Sequence, residues 1–185
     1  MGKKLKITLL GALLVFVLDY VTKWWVLKNV GLLEVRKITG FFNLILVHNQ
    51  GAAFSLFWGN DPSQGLKMAF LALVALIPVV YFFLKAREAD KLILFSLGII
   101  FGGAVGNIVD RLRHNAVVDF LDFHLFDRHW PAFNVSDIAI CLGVLFLFYV
   151  ALFQTPPWLK HQSGPGKAPT NLKDRKKNSK RSSFK

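Results

Sequence analysis

Four long apolar stretches, separated by shorter polar ones, set the pattern of the 185-residue chain. The first runs from Leu5 to Trp25, uninterrupted between Ile7 and Leu18 and preceded by Lys3, Lys4 and Lys6. A cleaved signal peptide would show a small-residue cleavage site after the run. Here the run meets Asp19, Lys23, Trp24 and Trp25 instead. It therefore reads as a retained helix, long enough for a hydrocarbon core of ~30 Å, with the Trp pair anchored at the far interface. Leu66 to Leu84 is the second span, with a kink predicted at Pro78. Leu92 to Val109 is the third and Val135 to Phe153 the fourth. Gly102, Gly103 and Gly106 give the third helix a small-residue face, with Gly102 and Gly106 in GxxxG spacing.

Between the spans the pattern changes. Phe41 to His48 is β-branched and aromatic and predicts a strand, closed by a turn at Asn49-Gln50-Gly51. Ala52 to Trp58 is again apolar, and Asp61-Pro62 with Gly65 marks a loop. Val117 to Phe123 reads as a short strand, and His124 to His129 as a solvated loop. The expected fold is a membrane protein, mainly α, with four transmembrane helices and a small extracytoplasmic β-sheet platform. Residues 1–155 form the membrane domain, and 156–185 a disordered, basic cytoplasmic tail too poor in apolar surface to fold alone.

Composition agrees: 54% of residues are hydrophobic, too many for an ordinary soluble domain of this size. The net charge of +12 is uneven, since nine of the 23 Lys/Arg residues and one acid follow Thr155. Four spans put both termini and the 85–91 loop on one side, together with Lys3, Lys4, Lys6, Lys85, Arg87, Lys91 and the tail cations. The positive-inside rule makes that side cytoplasmic. The tail reads as a segment drawn to anionic headgroups rather than to nucleic acid. Cys141, the single cysteine, has no internal disulfide partner and is expected to be a buried, inert thiol.

With that topology, the unusual polar residues gather at the outer surface. Asp19 and Lys23 lie near the outer end of the first helix, Asn107, Asp110 and Arg111 close the third, and Asn134, Ser136 and Asp137 open the fourth. Asn49 and Asp119 belong to the two outer segments. Charge at bilayer depth is costly and marks function until explained otherwise. Asp19 and Lys23 are i,i+4 in the favourable acid-first order, which suits a structural ion pair or a ligand contact equally. Asp110 and Arg111 read as a structural network fixing loop to helix. On a strand, Asp119 and Asp122 point to opposite faces, so only one can face the site. The apolar neighbours of Asp119 would raise its pKa by desolvation. Spacing alone reads Asp137 as the N3 acid of a helix capped by Asn134. A pair of carboxylates in unlike surroundings is also what acid–base chemistry on water requires.

Other chemistries fit less well. No HExxH-type cluster is present, and His124-Leu125-Phe126-Asp127-Arg128-His129 has the wrong spacing for zinc. Ser136 with Lys23 would make a Ser–Lys pair, but no GxSxG-like elbow frames the serine. A non-enzymatic lipid-binding or small transport protein using the same polar pocket is the alternative from another class.

The chain resembles the lipoprotein signal peptidase family (signal peptidase II), membrane aspartyl proteases of bacteria. The resemblance rests on Asp19-Tyr-Val-Thr-Lys23, Val47-His-Asn49-Gln-Gly51-Ala-Ala-Phe-Ser55, Gly103-Ala-Val-Gly-Asn107-Ile-Val-Asp110-Arg111, Val118-Asp119-Phe120 and Phe133-Asn134-Val-Ser136-Asp137. These five segments fall in the family's order and span roughly residues 5 to 153. The resemblance implies removal of the signal peptide from prolipoproteins, just before a cysteine bearing a thioether-linked diacylglyceryl group. It maps the catalytic dyad onto Asp119 and Asp137, and the supporting residues onto Asp19, Lys23, Asn49, Gly51, Asn107, Asp110, Arg111 and Asn134. It implies no metal or cofactor, a prolipoprotein substrate and membrane lipid as partners, and a monomer. It places the protein in the bacterial cytoplasmic membrane with its active site at the outer surface. Tyr20 stands where Gln is frequent in the family and Ser136 where Ala is frequent; Ser136 is expected to add a hydrogen bond to the dyad.

Overall fold

One side of the first helix is small or polar and the rest is greasy, and this asymmetry sets how the bundle forms. In the computed structural model, which describes residues 2–51 and 63–153, this helix is α1, Lys3–Asn29. Its buried residues Gly11, Ala12, Val15, Asp19, Lys23 and Val26 recur every three or four positions, so one stripe faces the protein. The remaining surface, including Leu10, Leu13 and Leu14, is exposed as a lipid-facing helix requires.

The sheet begins with β1, Val35–Lys37, and β2, Phe42–Asn49. The second span is two helices, α2 Gln64–Ala75 and α3 Ile77–Lys85. Pro78 lacks the N–H that would bond back one turn, and Leu76 between the helices stays near helical dihedrals. The result is an interruption of the span at Leu76, two residues before Pro78, where the kink is predicted. The third span, α4 Lys91–His114, is the axis of the bundle and is buried along most of its length. α1, α2, α3 and α5 (Val135–Phe153) all pack against it. These four spans are long and apolar enough to cross a membrane.

Small residues let α1 and α4 approach closely. A Cβ on Gly102 would run into the backbone oxygen of Ala12, and one on Gly98 into that of Thr8. The close-packing ridge thus starts one turn earlier than the Gly102–Gly106 pair read from the sequence. Gly106 continues it beneath Asp19, whose Oδ2 would lie 2.6 Å from an added Cβ.

β3, Val117–Leu125, and β4, Arg128–His129, complete an antiparallel sheet in the order β1-β2-β3-β4. β2 and β3 pair from Asn49↔Val117 to Phe42↔Phe123, with a bulge between Leu44 and Val47. Val118 and Phe120 pack with Val26, Val30 and Leu46, which fastens the sheet to the end of α1. The sheet therefore rests on the bundle end where α1 and α4 finish and α5 begins.

Several expectations need correction. α1 and α4 run past Trp25 and Val109 to Asn29 and His114, because hydropathy detects lipid depth and not helix ends. α4 stops where Asn115 turns left-handed (φ 55°) and donates its N–H to the carbonyl of Arg111. His124 to His129 is largely exposed, as expected, but it is the β3–β4 hairpin and not an irregular loop, and in it His129 Nδ1 lies 2.9 Å from Asp122 Oδ1. Cys141 is free as expected, but exposed on α5 and not buried. An apolar run in a spanning helix can face lipid as readily as a core. Ala52–Trp58, Asp61-Pro62 and the 156–185 tail lie outside the described residues.

Candidate active site

Asp119 arrives on β3 and Asp137 on the first turn of α5, and Asn134 joins them. The Asn134 carboxamide Nδ2 donates to Asp119 Oδ1 at 2.7 Å. Its backbone N–H donates to Asp137 Oδ2 at 3.1 Å, and its Oδ1 accepts the Asp137 N–H at 3.0 Å. The latter two bonds form a reciprocal capping box, which starts α5 and satisfies two first-turn amides. The cap read from the sequence is therefore present. It uses only one carboxylate oxygen; the other, Oδ1, accepts from Asn107 Nδ2 at 2.9 Å.

Three asparagines share one arrangement. Each has its carboxamide oxygen occupied by another donor, which leaves its Nδ2 aimed at an aspartate. Asn49 Oδ1 accepts the Gly51 N–H at 2.9 Å while its Nδ2 reaches Asp119 Oδ2 at 2.8 Å. That turn needs Gly51, whose φ of 117° is one that residues with a Cβ rarely adopt. Asn107 Oδ1 receives Lys23 Nζ at 3.1 Å and Asn134 Nδ2 at 3.3 Å. Asn134 Oδ1 is held by its capping bond. Oriented dipoles of this kind cost little reorganisation when charge moves.

A second group of charges lies behind the first. Lys23 Nζ sits 2.7 Å from Asp19 Oδ2 and 2.8 Å from Asp110 Oδ2, with all three side chains largely buried. Asp110 also accepts the N–H of Val118 at 3.1 Å, which ties β3 to α4. Asp19 Oδ1 accepts the N–H of Ser136 at 2.9 Å, which ties α1 to the start of α5. Arg111 does not pair with Asp110; its guanidinium donates to the Asn107 carbonyl, 3.2 Å away on its own helix. The Ser136 hydroxyl is buried and, among the described residues, makes no hydrogen bond to Asp119 or Asp137.

Electrostatics separates the acids of β3. Burial pushes the Asp119 carboxyl up to about 7, with the nearby Asp137 carboxylate adding to the rise against the amides of Asn49 and Asn134. Asp122, on the other face, also pays for its burial. Hydrogen bonds from Asn43 (2.8 Å) and His129 outweigh this and hold it below the usual carboxylate range. Sequence reasoning missed Asn43, whose place inside an apolar strand gave no sign of its partner. It also missed the N–H groups of Val118 and Ser136, because backbone donors leave no trace in residue identity. Among the described residues, no group of three or more His, Cys, Asp or Glu side chains is arranged to hold a metal ion.

Comparison with known proteins gives this site its family. A model of the signal peptidase (SPase) II family matches residues 11–153, which contain every residue of this site. The chain belongs to the signal peptidase II family. It is accordingly a peptidase and a multi-pass protein of the bacterial membrane. The lipoprotein signal peptidase of Ralstonia nicotianae is 48% identical over 130 residues, covering 70% of this chain and 75% of that protein. That of Francisella tularensis subsp. mediasiatica is 42% identical over 151 residues, covering 81% and 93%. Among solved structures, a bacterial membrane enzyme determined in meso at 1.9 Å superposes with a TM-score of 0.69 at 28% identity. It covers 80% of this chain and 94% of its own. The four-span bundle with its small antiparallel sheet is thus similar in fold to a solved bacterial membrane enzyme.

Proposed function

We propose that this signal peptidase II works as an aspartyl endopeptidase on prolipoproteins, with Asp119 and Asp137 as its catalytic dyad. It cleaves the signal peptide just before a cysteine carrying a diacylglyceryl group. The observation that carries this reading is a division of labour among the acids. Lys23 is taken up by Asp19 and Asp110, while Asp119 and Asp137 have only neutral amide donors and no ion pair among the described residues. Acids held by neutral donors remain able to trade protons with water and substrate. Ser136 is a poor nucleophile by comparison, because Lys23, its only basic partner in a Ser–Lys reading, is held by Asp19, Asp110 and Asn107.

In the proposed reaction Asp137 takes a proton from water as the water oxygen bonds to the scissile carbonyl carbon. Protonated Asp119 donates a hydrogen bond to the carbonyl oxygen, where negative charge develops. The tetrahedral intermediate collapses as the carbon–nitrogen bond breaks, and the proton on Asp137 passes to the leaving amine. The remaining named residues position this pair. Asn49, Asn107 and Asn134 aim amides, Gly51 sets the turn, Asp19, Lys23 and Asp110 brace three elements, and Arg111 adds positive charge nearby. A purified preparation should cleave a diacylglyceryl-modified prolipoprotein peptide before its lipidated cysteine. A preparation that binds the peptide and never cleaves it would favour the lipid-binding alternative.

The pH dependence follows from Asp119. The reaction needs its proton, so kcat/KM should fall as pH rises through about 7. Asn49 favours the ionised form, so Asn49→Ala should move that alkaline limb to higher pH. A limb that stays put or moves down in this variant would remove Asp119 from the acid role.

The charge distribution supports placing both termini and the 85–91 loop in the cytoplasm, with the sheet and site at the outer membrane surface. Because α4 extends to His114 and Val117 and Val118 are buried, the exposed β3–β4 turn is the better position for a label. In a Cys141→Ser background, Asp127→Cys should react with a membrane-impermeant maleimide on intact spheroplasts. Reaction only after the membrane is opened would reverse the orientation.

A further inference from the structure

We propose that the lipid-facing side of α1, at the bundle end that carries the sheet, is a binding site for one anionic phospholipid. Phe16, Tyr20, Trp24 and Lys28 recur every four residues and so share one helical face. Phe16 and Tyr20 stack with ring centroids 6.3 Å apart, and Tyr20 and Trp24 are 45% and 48% exposed. Lys28 Nζ lies 4.1 Å from the Trp24 ring centroid. Arg113, from the last turn of α4, brings its guanidinium to 5.8 Å from the Tyr20 centroid. Aromatic rings so form a ladder up the membrane-facing surface, with a cation beside each of its two upper rungs.

The charge balance selects the lipid. Neither Lys28 nor Arg113 has an ion pair among the described residues, and both are exposed. The neighbouring acids Asp19 and Asp110 turn inward to Lys23. Two exposed cations near the ends of α1 and α4, unpaired with any acid among the described residues, attract a phosphodiester, to which Arg and Lys both donate charge-assisted hydrogen bonds. A zwitterionic headgroup brings its own ammonium and is repelled in part. The aromatic ladder below takes the acyl chain, as ring faces at the interface do. Tyr20 carries the contact with Arg113.

The test is native mass spectrometry of the full chain in detergent, supplied with phosphatidylglycerol or phosphatidylcholine. The unaltered protein should retain phosphatidylglycerol preferentially. Lys28→Gln and Arg113→Gln should each reduce that preference about fivefold, the effect of one cation near an anionic lipid surface. Lys28→Arg and Arg113→Lys should keep it. Because every altered residue is exposed and outside the dyad, the melting temperature in detergent should not move, and the outcome is independent of the catalytic assignment. Equal retention of the two lipids by the unaltered protein overturns the proposal. So does a preference that survives the double Gln variant and vanishes with Lys3→Gln and Lys85→Gln, which would place the lipid at the opposite end.

Discussion

Asp119→Asn and Asp137→Asn should each lower the cleavage rate about 10^3-fold, while the lipidated peptide still binds. An amide cannot accept a proton from water, nor present the acidic O–H that polarises the carbonyl. Geometry adds to the loss. All four carboxylate oxygens accept hydrogen bonds from N–H donors, so either substitution sets an NH2 group against a donor. A donor left unsatisfied in a buried site costs about 1–3 kcal/mol, so both variants should also melt earlier. Activity and melting temperature are therefore measured on the same samples, below the transition of the weaker protein. Cleavage lost in protein that is still folded assigns the loss to chemistry. The two substitutions should also fail to add, as expected of two residues that act in one catalytic step.

Lys23→Met should be the most damaging change outside the dyad. It leaves Asp19 and Asp110 buried and facing each other without a countercharge, and breaking such a pair costs about 3–5 kcal/mol. The Asn107 oxygen loses its strongest donor at the same time, so the amide no longer has a fixed reason to aim Nδ2 at Asp137. Both the melting temperature and the cleavage rate of folded protein should fall. Arg is no substitute, because a planar guanidinium does not fit a site built for a compact ammonium. A Lys23→Met protein that melts and cleaves like the unaltered one would show that the second group of charges does not brace the first.

Much of this arrangement was legible in the chain, for reasons that differ by residue. The spans were readable because lipid imposes one rule, an apolar run of fixed minimum length, and the second span breaks next to Pro78, which lacks an N–H. The Asp19–Lys23 pair followed from i,i+4 spacing, and the Asn134–Asp137 cap from helix-terminus chemistry. Helix ends were hidden, because Asp110 and Arg111 interrupt hydropathy without interrupting the hydrogen bonds of α4. β1 and β4 were hidden too, being strands of three and two residues defined by their neighbours and not by their own pattern. Asp110 fixes β3 to α4 as the structural reading expects, through the N–H of Val118, which no residue identity announces. Asp110 turns to Lys23 on another helix. For Asp137, spacing favoured a cap and the family resemblance a catalyst; the two oxygens of one carboxylate make these roles compatible.

Stability should carry the same signature as activity. Asp119 keeps its proton in the fold up to about 7, whereas its ordinary value is 3.8. The folded form thus binds the extra proton between those values, and stability falls as pH rises across that window, then levels off. This trend runs opposite to that of an ion-paired acid and follows from the burial of the Asp119 carboxyl.

The most direct test of the dyad is single-turnover cleavage of a diacylglyceryl-modified prolipoprotein peptide by four proteins: the unaltered chain, Asp119→Asn, Asp137→Asn and the double variant. We expect cleavage before the lipidated cysteine by the unaltered chain alone, with the three variants equally slow. Cleavage at the unaltered rate by either single variant would contradict the assignment of Asp119 and Asp137 as the catalytic pair.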